Sequence, residues 1–230
     1  MIRNPPSAPF KPIVPEPWSQ ITDNERQVRS RINALLDERG WRRPGGEIAS
    51  IRTCTPSFYR GVDVWEADVV VDGAFLGTAG FLVTNGGIHP LDGTIKPIQA
   101  ANAAGALVLV TEDQAKSYVA FQCQSITGDN GDTFWPFDRT QVTQAQADDI
   151  AGLLSRPART SPVLDDSPTL WQVEGVTLYG GYAFLTIYGA NGDGLLQMRK
   201  DTALIKGMPS VAFEAGLRVL RPASPVLAAP

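Results

Sequence analysis

Pairs of turn residues divide most of this chain into short segments and restrict the folds it can adopt. Asp72-Gly73, Asn85-Gly86-Gly87 and Gly180-Gly181 each separate two runs rich in β-branched and aromatic residues. Because such pairs supply the positive φ angles of tight hairpins, they predict antiparallel strand pairs. The predicted strands are residues 47–53, 62–71, 74–84, 106–111, 117–126, 170–179, 182–189, 195–200, 203–205 and 211–220.

Helix signals are fewer. Thr22 and Glu25 fit a T-x-x-E capping box, in which each side chain satisfies a free N–H at the helix start, and Gly40 is placed to end that helix. A second helix is predicted from Thr143, with Gln146 three residues later, and a short one over residues 96–104 with proline at its first position. The apolar stripes of the two longer helices are Val28, Ile32, Leu35 and Leu36, and Ile150, Leu153 and Leu154.

These patterns together predict an α+β protein that is predominantly β. We expect antiparallel sheets arranged as a sandwich or a barrel, two amphipathic helices, and extended proline-rich termini. The predicted divisions are an arm (1–20), a mixed α+β body (21–155), a proline-containing linker (156–169), a β-meander (170–221) and an extended tail (222–230).

A proline recurs at every third position near the N-terminus. A polyproline II helix has three residues per turn, so these rings would line one edge of an extended rod. Proline also lacks an N–H, which keeps residues 3–18 out of helices and sheet interiors. We therefore expect a stiff arm whose apolar side chains are held by its own body or by another chain. The predicted partner-binding residues are Pro6, Pro9, Phe10, Pro12, Ile13, Val14, Pro15 and Trp18.

The residues available for catalysis are few. His89 is the only histidine, and it lies in the turn-like sequence GGIHPLDG with no nucleophile motif to pair with it. Cys54 directly follows one predicted strand and Cys123 lies within another, so buried free thiols are expected, although a single bridge is an alternative. Because zinc sites need three or four N/S ligands, no metal site and no cofactor is predicted. The loops near 129–132 and 191–193 are rich in Asn, Asp and Gly, which is explained by the left-handed backbone conformations that these residues tolerate in turns.

Glu66 and Asp68 are the most interesting carboxylates. They stand two residues apart on a predicted strand and so project from the same face, beside Trp65. Retaining glycosidases need two carboxyl groups about 5 Å apart across a sugar cleft, and this pair resembles theirs only faintly. We expect both residues to decorate the solvent-facing side of a half-exposed strand. A carbohydrate-active or glycan-binding β-sandwich that uses them is the alternative function.

The sequence favours a non-enzymatic structural or assembly protein of a large particle. Capsid-decorating, connector and tail proteins of phage-like virions share its plan, a β-rich body with extended termini that dock on neighbouring subunits. The expected partners are therefore other protein subunits, identical or different.

A net charge of −4 argues against nucleic acid as a partner. No secretion signal or membrane span is seen, so a virion or cytoplasmic location is expected. A third hypothesis is an adaptor, because Arg3-x-x-Pro6-x-x-Pro9 fits a ligand of SH3 domains.

Overall fold

The computed structural model describes residues 12–41, 45–127, 135–136, 159–163, 169–206, 210–214 and 217–221. They form two antiparallel sheets of seven and five strands with three helices, so the predominantly β prediction is confirmed, and these residues close no barrel. The helices are α1 (Glu25–Glu38), α2 (Lys96–Ala103) and α3 (Glu112–Ser125). The strands are β1 (Ser19–Gln20), β2 (Gly46–Cys54), β3 (Val62–Val71), β4 (Ala74–Thr84), β5 (Gly87–Pro90), β6 (Trp135–Pro136), β7 (Arg159–Pro162), β8 (Thr169–Tyr179), β9 (Tyr182–Asn191), β10 (Leu196–Lys206), β11 (Ser210–Glu214) and β12 (Leu217–Arg221).

The first sheet is organised around the hairpin of β3 and β4. Its strand order is β1-β2-β3-β4-β12-β11, and β5 also pairs with β4. Asp72 and Gly73 both have positive φ, 50° and 76°, as the predicted Asp-Gly turn requires. The final hairpin, β11 and β12, was expected to be one strand of the C-terminal meander, but its strand β12 pairs with β4.

The first helix confirms its predicted stripe but not its predicted cap. Ile32 and Leu36 are buried against the first sheet. The helix begins at Glu25 after Asn24, which is left-handed and makes no side-chain cap bond, so the Thr22–Glu25 capping box is wrong. At the other end Gly40 has φ 65° and donates to the carbonyl of Asp37, while Trp41 donates to that of Leu36. This pattern is a Schellman motif, and it explains why glycine is needed there.

Two predicted strands, residues 106–111 and 117–126, are wrong, and the second lies within helix α3 apart from its last residue. Glu112–Ser125 is helical. The Thr111 hydroxyl accepts a bond from the backbone N–H of Gln114, and the side-chain oxygen of Gln114 accepts one from the backbone N–H of Thr111. A T-x-x-Q capping box was therefore present in the sequence at this point. Nine of its fourteen residues are buried, so the helix lacks the polar face by which an amphipathic helix is recognised. In the 106–111 stretch only an isolated bridge, Tyr59 to Leu107, is formed.

The core consists of layers. Helix α1 covers one face of the first sheet, and residues 13–14, α2 and one side of α3 cover the other. The opposite side of α3, with Ala115, Val119 and Cys123, packs on the second sheet at Val173 and Tyr188. The two sheets are therefore separated by a helix, which a simple sheet-on-sheet sandwich would not contain.

The second sheet has the order β10-β9-β8-β6, with β7 also paired to β8. Strand β7 and the first residue of β8, Thr169, fall within the predicted linker, residues 156–169, so five of those residues belong to the sheet. The two short strands predicted at 195–200 and 203–205 are one strand, β10, interrupted by bulges. The helix predicted from Thr143 lies outside the described residues.

Candidate interaction site

The root of the N-terminal arm, residues 12–18, is part of the folded body. Ile13 and Val14 are 1% and 0% exposed and belong to the same core cluster as Phe58 and Leu91. The chain bends at residues 13–16, so this part of the arm is not the straight polyproline rod that the spacing predicted. In this structure the root therefore contacts its own body.

Glu66 and Gly80 form the slot that receives Ile13. They lie directly opposite each other on β3 and β4. The backbone N–H of Ile13 donates to Glu66 Oε1 at 2.9 Å, in a fully buried bond. A Cβ on Gly80 would lie 3.3 Å from Ile13 Cδ1 and 3.1 Å from Leu91 Cδ1, so the absent side chain leaves the space that these two residues fill. The glycine that interrupts β4 thus has a packing role.

The slot is part of a charged cluster on β2 and β3. Arg52 contacts Glu66 at 2.7 Å and Asp68 at 3.1 Å. Asp68 also accepts bonds from Ser50 on β2 and Thr78 on β4, at 2.7 and 3.1 Å. Burial alone would lower the pKa of Arg52, but the two carboxylates outweigh it and the net shift is upward. One cation and two anions thus share a buried site with an extensive set of hydrogen bonds, which is the condition for tolerating buried charge.

The prediction that Glu66 and Asp68 face solvent is wrong. Glu66 is 0% exposed and Asp68 is 9% exposed, because the arm root covers the face of β3 on which they stand. Both are engaged with Arg52, and Glu66 also holds a backbone amide. Neither carboxylate is open to a sugar-binding cleft in this arrangement, and the cluster acts as a clamp for the arm.

Five further contacts involve the root, four with the body and one within the root itself. Glu16 accepts from both the backbone N–H and the hydroxyl of Ser57, at 2.8 and 2.9 Å. Gln124 of α3 donates to the carbonyl of Ile13, and Trp18 Nε1 donates to that of Val14 at 2.9 Å. The Trp18 ring lies 5.8 Å from the guanidinium carbon of Arg52, within cation–π range.

The remaining predicted arm residues divide into two groups. Pro12, Pro15 and Trp18 belong to the described arm root; Pro12 and Trp18 are half-buried there, and Pro15 is exposed. Pro6, Pro9 and Phe10 lie outside the described residues. Their predicted partner-binding role stays a prediction, as does that of the arm as a whole.

Cys54 shares the core cluster of Ile13 and Val14, whereas Cys123 packs in a different cluster against the second sheet. Cys54 and Cys123 are both free and buried, but Cys123 lies in α3, not in a strand. Burial raises the pKa of each thiol to about 12, so both are poor nucleophiles at neutral pH. His89 lies on the short strand β5, not in a turn, and its Nε2 is 3.5 Å from the hydroxyl of Thr84.

Sequence reasoning missed Arg52, Gly80 and Gln124 as parts of the site. A signal for Arg52 was present, because it stands two residues before apolar Cys54 on β2 and so shares its face. A cation on a buried face requires a counter-ion. No local signal identified Gly80 or Gln124. Their roles depend on a segment more than sixty residues away.

The chain matches no protein-family model, no curated protein and no solved structure. Among the described residues, no three His, Cys, Asp or Glu side chains are grouped as metal ligands. No helix in those parts of the chain has the length and apolar character needed to cross a bilayer. Function is therefore inferred from the geometry of the site.

Proposed function

We propose that this protein is a non-enzymatic structural component of a large particle, such as a capsid-decorating, connector or tail protein of a phage-like virion. Its termini dock on neighbouring subunits. The observation that supports the proposal is the clamp on the arm root. Two aliphatic side chains and a charge-assisted hydrogen bond attach residues 13–14 to the core.

Such an attachment suits a connecting arm. A tether that links subunits transmits force to its point of attachment, which must therefore be as stable as the core itself. Residues 1–11, with Pro6, Pro9 and Phe10, precede that point in the sequence, and the proposal assigns the contact with neighbouring subunits to them. Proline restricts the unbound chain, so binding of this segment orders fewer backbone dihedrals than binding of an ordinary peptide.

The experiment is a truncation of the arm that keeps the residues of the clamp. Removing residues 1–11 leaves the clamp intact, whereas removing residues 1–18 would also remove two core side chains. Tagged full-length and truncated chains are expressed in the natural source of the sequence, and extracts are separated by density-gradient sedimentation. We expect the full-length chain in a fast-sedimenting particle fraction, and the truncated chain in the slow fraction with an unchanged unfolding midpoint.

A variant of full length serves as the second measurement. Replacing Pro6, Pro9 and Phe10 together by alanine keeps the arm length and changes only the contact surface. It is expected to leave the particle fraction as the truncation does. If the truncated chain sediments with the particle as the full-length chain does, or if the full-length chain enters no particle, the proposal is wrong. Binding of an isolated 1–11 peptide to a monomeric domain would instead support the adaptor hypothesis.

The glycan hypothesis gains no structural observation, because Glu66 and Asp68 are covered and ion-paired. Comparing wild type with Glu66→Gln on a broad glycan panel tests it directly. Hydrolysis by wild type that is lost in the variant would support it.

A further inference from the structure

A groove of about 540 Å³ lies between α2 and the β4–β5 hairpin, and none of residues 12–18 is among its lining residues. Its volume is within the range of roughly 300–1,000 Å³ that is typical of small-molecule sites. The arm root contributes no lining residue, so whatever the groove binds goes beyond the proposed structural function.

One wall of the groove is the face of α2 that carries small residues. Pro97, Ala100, Ala101 and Ala104 line it, and their spacing of three, four and seven residues places them along one side of the helix. The floor is apolar, with buried Leu82 among its residues. The short side chains leave room that a larger residue would fill.

The opposite wall carries the polar groups. Strands β4 and β5 pair through Leu82 with His89 and through Thr84 with Gly87. The turn between them, Asn85-Gly86, also lines the groove. Arg60 completes the rim, and its backbone N–H donates to the carbonyl of Ala106 at 2.8 Å, which ties its loop to the chain following α2. The loop is thereby held against the helix wall.

The charged side chain that lines the groove is a cation, Arg60. Arg60 is exposed and, within the described part of the chain, pairs with no carboxylate; no acidic side chain of that part lines the groove. A guanidinium and an imidazole in the lining of one groove favour an anionic group there. Pro97 is the residue of the lining that lies closest to the N-terminus of α2. Free backbone N–H groups at a helix N-terminus commonly bind phosphate, but proline has no N–H, so α2 offers one donor fewer at this position. A carboxylate, which Arg binds through two parallel hydrogen bonds, fits better.

We propose that this groove binds an aliphatic monocarboxylate, with the carboxylate at Arg60 and His89 and the hydrocarbon chain against the alanine wall of α2. The head would make charge-assisted hydrogen bonds, and the chain would be removed from water by the floor.

His89 makes the test specific, because the chain has only one histidine and hence one set of imidazole NMR signals. Octanoate is titrated into the full-length protein below its critical micelle concentration, with octanol and octylammonium as ligands of the same chain length. We expect octanoate to shift the imidazole signals saturably, and the neutral and cationic ligands to bind at least about tenfold more weakly.

Two variants with matched controls locate the site. Arg60→Gln should weaken octanoate binding about tenfold, whereas Arg31→Gln, at an exposed position on α1, should leave it unchanged. Ala100→Leu should obstruct the groove and abolish the shift. Ala103→Leu is equally exposed on the same helix but does not line the groove, and it should bind as wild type does.

The proposal is overturned if octanoate causes no saturable shift, or if octylammonium or octanol binds equally well. It is also overturned if Arg60→Gln or Ala100→Leu binds octanoate as tightly as wild type while its circular dichroism and unfolding midpoint match those of wild type. Both substitutions are at exposed positions, so loss of the fold is not expected to obscure the result.

Discussion

Replacing Ile13 by alanine is the most direct test of whether the arm root belongs to the core. Ile13 is 1% exposed, so the substitution removes three buried carbons, worth roughly 2.4 kcal/mol at about 0.8 kcal/mol each. Its neighbour Gly80 has no side chain that could move into the vacated space. A cavity term is therefore added, and the expected loss of unfolding free energy is about 3–4 kcal/mol, within the range of about 2–5 seen for such changes.

The loss is measured by urea unfolding followed by tryptophan fluorescence, with Pro15→Ala as control. Pro15 is exposed two residues away, and its replacement should cost no more than about 1 kcal/mol, through the greater freedom of the unfolded chain. Hydrogen exchange supplies a local readout, because the N–H of Ile13 is bonded to the buried Glu66 carboxylate. Its exchange in Ile13→Ala should accelerate about tenfold for each 1.4 kcal/mol lost.

The outcome decides how the arm is understood. A loss below about 1 kcal/mol, similar to that of the control, would mean that Ile13 is not packed as described. Rapid exchange of its N–H in wild type would mean that the clamp is open in solution. Either result would refute the anchored root and remove the support for a force-bearing arm.

Three further changes test other parts of the fold. Gly194→Ala should cost roughly 2–5 kcal/mol in urea unfolding, since its φ is 83° and a Cβ would lie 2.2 Å from an amide nitrogen. Gly192→Ala, with its nearest contact at 3.4 Å, should cost less than about 1 kcal/mol, and equal costs would contradict the packing. Arg52→Met should cost about 3–5 kcal/mol because two buried carboxylates lose their cation, and a neutral result would mean that they are solvated. Because burial raises the pKa of Cys54 and Cys123 from 9.0 to about 12, the unfolded thiols ionise first. Stability should therefore fall as pH rises from 9 towards 12, and a thiol reagent at pH 8 should label both cysteines only in urea; labelling of the folded protein would contradict their burial.

Elements that depend on local sequence signals were predicted correctly, whereas an element that depends on long-range packing was missed. Strands β3 and β4 were predicted with their observed ends, because the turn between them requires positive φ at adjacent positions that only a few residue types tolerate. Gly40 ended α1 for a similar reason. Helix α3 was missed because burial on both sides removes the polar face, although the Thr111–Gln114 capping box marked its start.

The candidate site shows the same division. The spacing of Glu66 and Asp68 placed them on one face of a strand, and that inference holds in the structure. Which face was buried could not be read from the strand, because it is covered by Ile13, a residue more than fifty positions earlier.

The sequence by itself determined the β3–β4 and β8–β9 hairpins, the first helix with its glycine end, and the small number of residues suited to catalysis. These depend on backbone dihedrals and side-chain chemistry that act within a few residues. Only the tertiary structure decided that the arm root belongs to the core, that Arg52 is clamped between two carboxylates, and that a groove opens beside His89. Each of these depends on burial, and burial is a property of segments brought together from distant parts of the chain.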